Sequence, residues 1–443
     1  MTAASSTPVD PVRDPLKGNL ADFAAPRGRD LLTRTAAFSE WIEARKDAGL
    51  WPYVRSLEAM PSPETVALDE AGRRLQGTNF ASQDYLGLGT HPAIHEAAVR
   101  ALRDLGPHSA GSAILQGNTR LSRELEVSIG ELLEVEHVLL FPTGWGAGYG
   151  SIVGLVRPYD YIVLDKLAHA CLQQGAYAAT RRVLRHEHLD VDEVRMHLET
   201  VRRDDPEAGI LVVTEGLFSL DADVPEIARL QETCREFDAT LLVDVAHDLG
   251  ALGPGGTGQL GVQGMLAKVD LVMGSFSKTF ASNGGFLASG SRSVTDTVRA
   301  FGSTATFSNA LSPMQAAIVG RALEIVRSPE GDELRAALLR VAEATRESFS
   351  TTGIECLGIP SAIVIVPIGD ESVARVATRA LVERDVLVNV FEFPAVAVGA
   401  ARFRLQVMAT HDEQQVRDAA PVVVEAIQSA RESVGHDVSQ ASA

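Results

Sequence analysis

The sequence predicts an α/β fold with a mostly parallel central sheet, helices on both faces, and a smaller α+β domain towards the C-terminus. Through the middle of the chain, short runs rich in Val, Ile and Leu alternate with stretches of helical spacing. Continuous apolar strands separated by helices are typical of a parallel sheet that is covered on both faces. The last third loses this alternation, which indicates a separate small domain.

The elements follow in order along the chain. About thirty N-terminal residues rich in Pro, Asp, Arg and Ala predict a flexible arm, and an amphipathic helix is expected next, over 36–50. The central strands are expected at 137–141, 161–165, 209–216, 240–247, 269–275 and 284–289. After a long helix that starts near 312, strands are expected at 361–369 and 401–410, and helices at 371–384 and 412–432. The predicted divisions are an N-terminal arm and helix (1–75), a large α/β domain (76–325), a small α+β domain (326–432) and a disordered tail (433–443).

Bulk composition narrows the class of protein. The net charge of −18 argues against a nucleic-acid surface, which needs clustered Lys and Arg. No apolar run reaches the roughly 20 residues needed to cross a bilayer, and the first residues lack the apolar core of a secretory signal. The 3 cysteines form no CxxC pair, which fits a reducing compartment and no structural zinc. We therefore expect a cytoplasmic protein without a metal site.

Two strand ends carry reactive side chains. In LLVDVAH, Asp244 follows the apolar run and His247 lies three residues further on, although an N-cap explains this motif about equally well. In GSFSKTF, Lys278 stands among small residues, and Ser275 could offer its hydroxyl to a phosphate, although a lone lysine is usually a solvated one. A lysine can form an imine with an aldehyde, and a carboxylate can hold the proton of a heteroaromatic nitrogen. Together the motifs predict a pyridoxal 5′-phosphate (PLP) site with Lys278 as the Schiff-base lysine and Asp244 as the partner of the pyridine nitrogen.

Three further motifs support this hypothesis more weakly. In FPTGWGAGYG, the turn at Gly144 and Trp145 could present backbone N–H groups to a phosphate, or it could be a tight packing turn. In LDKLAHACL, His169 could lie over a flat ring, although such a histidine is more often structural. In TEGLFSLDADV, Glu215 and Ser219 could contact the cofactor, or they could cap the helix that follows.

The ordered motifs as a set resemble the α-oxoamine synthase family of fold-type I PLP enzymes. The resemblance covers most of the chain, from about Asn79 to Val424, and rests on motifs in the same order as in the family. These are NFASQDYLGLGTHP, AGSAILQGNTRLSRELE, FPTGWGAGYG, DKLAHA, TEGLFSLDAD, DVAHDLGALG, GSFSKTF, FSNALSP and ARFRLQVMATH. Such a family member is expected to be a fold-type I PLP transferase.

The resemblance implies a role for each residue around the cofactor ring. Lys278 resembles the Schiff-base lysine, which later acts as the proton-transfer base. Asp244 resembles the partner of the pyridine nitrogen, His247 the partner of the ring hydroxyl, and His169 the histidine that stacks on the ring.

The resemblance also implies how the phosphate is held. Gly144 and Trp145 occupy the turn that supplies amides to the phosphate, helped by Ser275. Ser308, in FSNALSP, resembles a phosphate contact from the second subunit. The family builds its sites at a subunit interface, so a homodimer is implied.

The reaction implied by the resemblance is a decarboxylative condensation. An amino acid reacts with an acyl thioester of coenzyme A or of an acyl-carrier protein, and the product is an α-aminoketone. One alternative is an aminotransferase or decarboxylase on the same fold, because one scaffold hosts many PLP reactions. Another is a non-catalytic partner subunit, although such a subunit could dispense with the lysine that is present here.

Departures from the family pattern concern the substrate more than the cofactor. Where family members that use free amino acids carry a carboxylate-binding arginine, this chain has Glu392, in NVFEFPAV, and the family's asparagine in its S-N-x-Y-L-G segment is Gln83. The histidine usually found ahead of the L-E pair is Ser122. An acid would repel a carboxylate instead of binding it. Either Arg402 or Arg404 replaces that arginine, or the substrate is held differently, with a cationic group near Glu392.

Overall fold

The computed structural model describes residues 14–440, with side chains described as far as residue 435. Residues 1–13 and 441–443, which belong to the predicted arm and tail, lie outside the described part. The described part divides into two compact units: residues 83–339 and 408–410 form the α/β unit, and residues 14–82, 340–407 and 411–440 form the terminal unit.

The helices and strands alternate as the sequence indicated. The chain begins with α1 (Ala36–Asp47), β1 (Ser56–Leu57), β2 (Glu64–Leu68) and β3 (Arg74–Asn79). Then follow α2 (Pro92–Leu105), α3 (Arg120–Leu133), β4 (His137–Phe141), α4 (Gly144–Leu155), β5 (Tyr161–Asp165), α5 (Ala170–Ala179), β6 (Val183–His186), α6 (Val191–Asp204), β7 (Ile210–Glu215), α7 (Ile227–Glu236), β8 (Thr240–Asp244), α8 (Gly258–Val262), β9 (Leu271–Ser275), β10 (Gly285–Ser289), α9 (Arg292–Phe301), α10 (Ser303–Thr306) and α11 (Pro313–Val326). The last elements are α12 (Pro329–Thr351), β11 (Ile363–Gly369), α13 (Glu371–Val382), β12 (Val386–Leu387), β13 (Asn389–Phe391), β14 (Ala401–Gln406) and α14 (Glu413–Gln440).

The α/β unit is built on a sheet of 7 strands in the order β4-β10-β9-β8-β7-β5-β6. Strands β5 to β9 run parallel, whereas β10 lies antiparallel between β4 and β9. All six central strands predicted from the sequence are present, and the predicted mostly parallel sheet is confirmed. Strand β6 was not predicted, because this edge strand is only partly buried and its sequence, VLRH, lacks a continuous apolar run.

Burial of the central strands fixes where their ends lie. Every residue of β7, β9 and β10 is buried, as a strand covered by helices on both faces requires. The core between the sheet and helices α4 and α5 includes Leu139, Phe141, Ile152, Leu172, Val213, Leu242 and Leu287. Each fully buried side chain of this size contributes about 1.5 to 3 kcal/mol through removal from water. The carboxyl ends of the strands are therefore held rigidly at one edge of the sheet.

The terminal unit contains two small sheets, in the orders β1-β2-β3-β12 and β11-β14-β13. The predicted strands at 361–369 and 401–410 correspond to β11 and β14, and the predicted helices to α13 and α14. Helix α14 continues to Gln440, beyond the start of the predicted tail at 433. Among residues 14–440, no helix combines the length and the apolar character that crossing a membrane requires.

The described part of the N-terminal arm is bound to the terminal unit. It contains a short 3-10 helix, Leu20–Phe23. The carbonyl of Leu16 accepts a hydrogen bond from Arg375 at 3.0 Å, and that of Gly18 accepts one from Arg45 at 3.0 Å. The sequence predicted a flexible arm here because composition alone cannot show donors that come from distant parts of the chain.

Candidate active site

A cavity of about 260 Å³ lies in the α/β unit, at the edge of the sheet where β5, β7, β8 and β9 end. Ligands of open α/β sheets bind at such carboxyl ends. The predicted residues that line this cavity are Gly144, Trp145, His169, Glu215, Asp244, His247, Ser275 and Lys278. The fold thus gathers residues that are up to 134 positions apart in the chain.

Two buried carboxyl groups lie near the lysine. Burial raises the pKa of Asp244 to about 6, although the charge of Lys278 and a hydrogen bond from the N–H of Ala246 act in the opposite direction. Burial, and next the charge of Asp244, raise the pKa of Glu215 well above its ordinary value. At neutral pH Asp244 is therefore mostly a carboxylate, and it can hold a proton on a ring nitrogen.

His169 is held by both its backbone and its ring. Its backbone N–H donates to the Glu215 Oε1 at 2.6 Å. Its Nδ1 accepts the N–H of Cys171 at 3.3 Å and lies 3.0 Å from the Cys171 Sγ. Burial raises the pKa of the Cys171 thiol, so the sulfur keeps its proton and donates it. An Nδ1 that accepts these hydrogen bonds places the ring proton on Nε2. Cys171 also lines the cavity but was not predicted, since only its position two residues after His169 could have indicated it.

The ring of His247 is oriented by a residue from a distant loop. The hydroxyl of Tyr85, which is fully buried, lies 2.8 Å from His247 Nδ1. This contact fixes the imidazole plane, and it leaves Nε2 as the second polar atom of the ring. Tyr85 lies in the SQDYLG motif, but its contact with His247 spans 162 positions and could not be deduced from spacing.

The turn before α4 forms a cradle for an anion. Thr143 caps the helix by accepting the N–H of Gly146 at 2.9 Å, and the hydroxyls of Ser275 and Ser277 lie 2.8 Å apart. A Cβ added at Gly144 would lie 2.2 Å from the Ser275 Oγ, so a side chain at 144 would fill the space between the turn and the serine. A helix N-terminus together with converging hydroxyls is suited to a phosphate group.

A charged bridge ties together two of the loops that carry site residues. His188 donates to Asp165, at the end of β5, and to Asp223, each at 3.0 Å. Burial alone would lower the pKa of His188, but hydrogen bonds to both carboxylates outweigh it and raise the pKa to about 10. The imidazolium therefore links the loop before His169 with the loop after Glu215.

The remaining predicted residues do not line the cavity. Within the described part of the α/β unit, the lining excludes Gln83, Ser219 and Ser308. Ser308 is half-buried and follows Phe307, whose side chain is 87% exposed. The exposed aromatic ring beside Ser308 is a surface that a second subunit could cover.

The predicted substrate residues Glu392, Arg402 and Arg404 belong to the terminal unit. Glu392 accepts hydrogen bonds from Arg375 at 2.9 and 2.6 Å, and their side chains are 2% and 1% exposed. The guanidinium carbon of Arg404 lies 4.3 Å from the ring centre of Phe391. A cation is thus present beside Glu392, but it is a residue of this chain.

The residues of the cavity fit PLP. The lysine matches the aldehyde of PLP, and the buried, ionised carboxylate matches its ring nitrogen. The helix N-terminus with its serine hydroxyls matches the phosphate. The glycine cradle beside Ser275 provides space that any side chain at 144 would occupy.

Comparison with known proteins identifies the class. The family model described as aminotransferase class I and II matches residues 76–423. The chain is 34% identical over 390 residues to a serine palmitoyltransferase from Sphingobacterium spiritivorum, covering 88% of this chain and 95% of the relative. It is 32% identical over 386 residues to an 8-amino-7-oxononanoate synthase from Geotalea daltonii, covering 87% and 96%.

Solved structures of serine palmitoyltransferases are similar to this chain in fold. Serine palmitoyltransferase from S. paucimobilis, solved with PLP and myriocin, superposes with a TM-score of 0.83 at 26% identity, covering 92% of this chain and all of that one. The Sphingomonas wittichii serine palmitoyltransferase gives a TM-score of 0.83 at 27% identity, covering 90% and 99%. The chain belongs to the aminotransferase class I and II family and, within it, to the α-oxoamine synthases that its motifs resemble. It is therefore a PLP-dependent acyltransferase that condenses an amino acid with an acyl thioester.

Proposed function

We propose that this condensation takes place in the cavity around Lys278 and releases carbon dioxide and a free thiol, leaving an α-aminoketone. The observation that carries the assignment is the convergence of Lys278, Asp244 and His247 at the carboxyl ends of neighbouring strands, opposite the Gly144 turn. When bound, PLP supplies an electron sink for negative charge at the α-carbon of the amino acid.

Different residues would bind different parts of the cofactor. Lys278 Nζ would hold the aldehyde, and the Asp244 carboxylate would keep the ring nitrogen protonated. His247, oriented by Tyr85, would donate from Nε2 to the ring hydroxyl. The turn at Gly144 would bind the phosphate.

Proton transfer falls to groups that face the amino acid. Lys278 Nζ, once released from the aldehyde, is placed to take the α-proton and to return it after condensation. His169 would lie against the ring, and the hydrogen bonds from Cys171 to its Nδ1 would fix the orientation of the imidazole. The hydrogen bond from the His169 backbone N–H to Glu215 would hold His169 in this position.

We further propose a homodimer in which Ser308 of one chain contributes to the cofactor phosphate of the other. The exposed Phe307 beside it supports a subunit contact at this segment. Arg402 or Arg404 would bind the substrate carboxylate, and Gln83 and Ser219 would lie near the substrate or cofactor in the assembled site. A cytoplasmic location is part of the proposal, supported by three free cysteines among the described residues.

The acyl thioester is carried by coenzyme A or by an acyl-carrier protein in this proposal, and the two relatives suggest two substrate pairs. The serine palmitoyltransferase implies serine and a palmitoyl thioester. The 8-amino-7-oxononanoate synthase implies the shorter oxononanoate product. Both reactions form the same new carbon–carbon bond, so one assay serves for both.

The test combines absorbance with product analysis. Wild-type protein with PLP should show the visible band of a PLP–lysine Schiff base, and Lys278→Ala should lose it, whereas Lys268→Ala, at an exposed lysine, should keep it. Turnover of the correct substrate pair should release thiol and carbon dioxide in equal amounts. Formation of an oxo acid without thiol release would contradict the condensation and indicate an aminotransferase.

A further inference from the structure

A second cavity, of about 490 Å³, lies wholly within the terminal unit. Its wall is formed by the turn after α1, the turn between β2 and β3, and the end of α13. Five arginines line it against three acidic side chains, and one of the five, Arg375, is paired with Glu392 outside the lining. The other four leave an excess of one positive charge in a chain whose net charge is −18. The arginines are Arg55, Arg73, Arg74, Arg375 and Arg379.

Two of these arginines converge over a glycine. A Cβ added at Gly49 would lie 3.3 Å from Arg379 Cδ and 3.9 Å from Arg73 Nη1. Arg73 donates through Nε to Asp69 at 2.7 Å, and Arg379 donates through Nη1 to the carbonyl of Ala48 at 3.0 Å. Each guanidinium has five N–H groups in a planar fork, so each keeps further donors for a shared acceptor. An anion bound beside Gly49 would be attracted by both charges.

Two further side chains line the same cavity. Arg55 is half-buried, and its Nη1 donates to the carbonyl of Val388 at 3.2 Å. Burial lowers the pKa of Arg55. Trp51 also lines the cavity, but its indole N–H is buried and is not exposed there.

We propose that this cavity binds a phosphate-bearing small molecule, whose phosphate oxygens accept hydrogen bonds from Arg55, Arg73 and Arg379. Convergent guanidiniums suit the several oxygens and the double charge of a phosphate better than a single carboxylate. The volume lies in the range of small-molecule pockets and leaves room for an organic group beside the phosphate. The ligand is either a free nucleotide or the nucleotide end of a coenzyme A thioester.

The test uses the full-length protein saturated with PLP, so that the cofactor cradle is not available to the probes. Pyrophosphate, ADP and coenzyme A are titrated separately by calorimetry at low ionic strength. Pyrophosphate tests the anion site itself, and the ADP and coenzyme A arms identify which source binds more tightly. Because charge pairs are screened, the affinity should fall as salt is added.

Two variants and one matched control assign the binding to this cavity. Arg73→Gln and Arg379→Gln should each weaken binding by about tenfold or more, as the loss of a charge-assisted hydrogen bond would. Arg384→Gln changes an arginine just beyond α13 that pairs with Glu425 at 3.4 Å and does not line the cavity, and it should bind like wild type.

Two results would overturn the proposal. One is the absence of saturable binding of all three probes up to about 10 mM, which corresponds to less than about 3 kcal/mol of affinity. The other is equal weakening in Arg379→Gln and Arg384→Gln. The inference does not rest on the proposed condensation: either failure would leave the Lys278-dependent absorbance and thiol release intact, so the two hypotheses are judged separately.

Discussion

Replacing Glu392 by glutamine distinguishes a structural role from a substrate-binding one. Glu392 and Arg375 form a bidentate ion pair with side chains 2% and 1% exposed. Burial, and next the nearby charge of Arg375, lower the pKa of Arg45 to about 9. The charge of Glu392 opposes that lowering. Glu392→Gln would leave two buried cations without their carboxylate. Removal of one partner from a buried pair costs about 3 to 5 kcal/mol.

Urea unfolding followed by tryptophan fluorescence measures this cost directly. Trp41 stacks against Arg45, whose guanidinium carbon lies 3.6 Å from the ring centre, so the signal reports on the affected region. Glu383→Gln, at an exposed glutamate of the same unit, should change the free energy of unfolding by no more than about 0.5 kcal/mol. The double variant Arg375→Met/Glu392→Leu should regain part of the loss, because both members of the pair are removed and only Arg45, which donates to the Gly18 carbonyl, stays buried as a cation.

The opposite pattern would refute this reasoning. If Glu392→Gln unfolds at the same urea concentration as wild type but raises KM for the amino acid, Glu392 contacts the substrate, as its place in the sequence suggested. The ion pair with Arg375 would then be a support for that contact and not a source of stability.

Three further predictions concern the PLP cavity and the loops that carry its residues. His188→Gln should destabilise the protein by about 2 kcal/mol below pH 6.5. Folding raises the His188 pKa from about 6.5 to about 10, so the wild-type advantage in unfolding free energy should shrink as the pH approaches 10. A series of unfolding curves at different pH values measures this difference. Gly144→Ala should weaken PLP binding by tenfold or more, since its Cβ would collide with Ser275, and a spectroscopic PLP titration that matches wild type would contradict the cradle. Cys171→Ser should keep the pH profile of turnover, because a hydroxyl can still donate to His169. Cys171→Ala should shift that profile. Identical profiles for both variants would show that the hydrogen bond from Cys171 does not tune His169.

Much of the fold could be predicted because the local pattern of apolar residues carried it. Strands such as β7 and β8 are continuous apolar runs, and burial on both faces is what makes them so. Edge strand β6 was not predicted because it is only partly buried, so its sequence need not be a continuous apolar run. The bound N-terminal segment was not predicted either, because its carbonyls are held by Arg45 and Arg375 from far along the chain.

In the candidate site, too, some features could be predicted from the sequence and others could not. Asp244, Lys278 and the Gly144 turn could be predicted because each directly follows a strand, and the ends of parallel strands meet at one edge. The contacts of Tyr85 with His247 and of Cys171 with His169 could not, since a side chain's partner depends on how loops pack. These contacts set the orientation of the two histidines.

The sequence by itself determined the class of protein: the strand ends that carry Lys278 and Asp244, and therefore the cofactor chemistry. Only the tertiary structure decided what the unusual residues do. It places Glu392 against Arg375, 17 positions away, and gathers arginines from three segments around one cavity. The physical reason is that strand and helix formation depend on neighbours in the sequence, whereas the neutralisation of a buried charge depends on whichever group the fold brings within hydrogen-bonding distance.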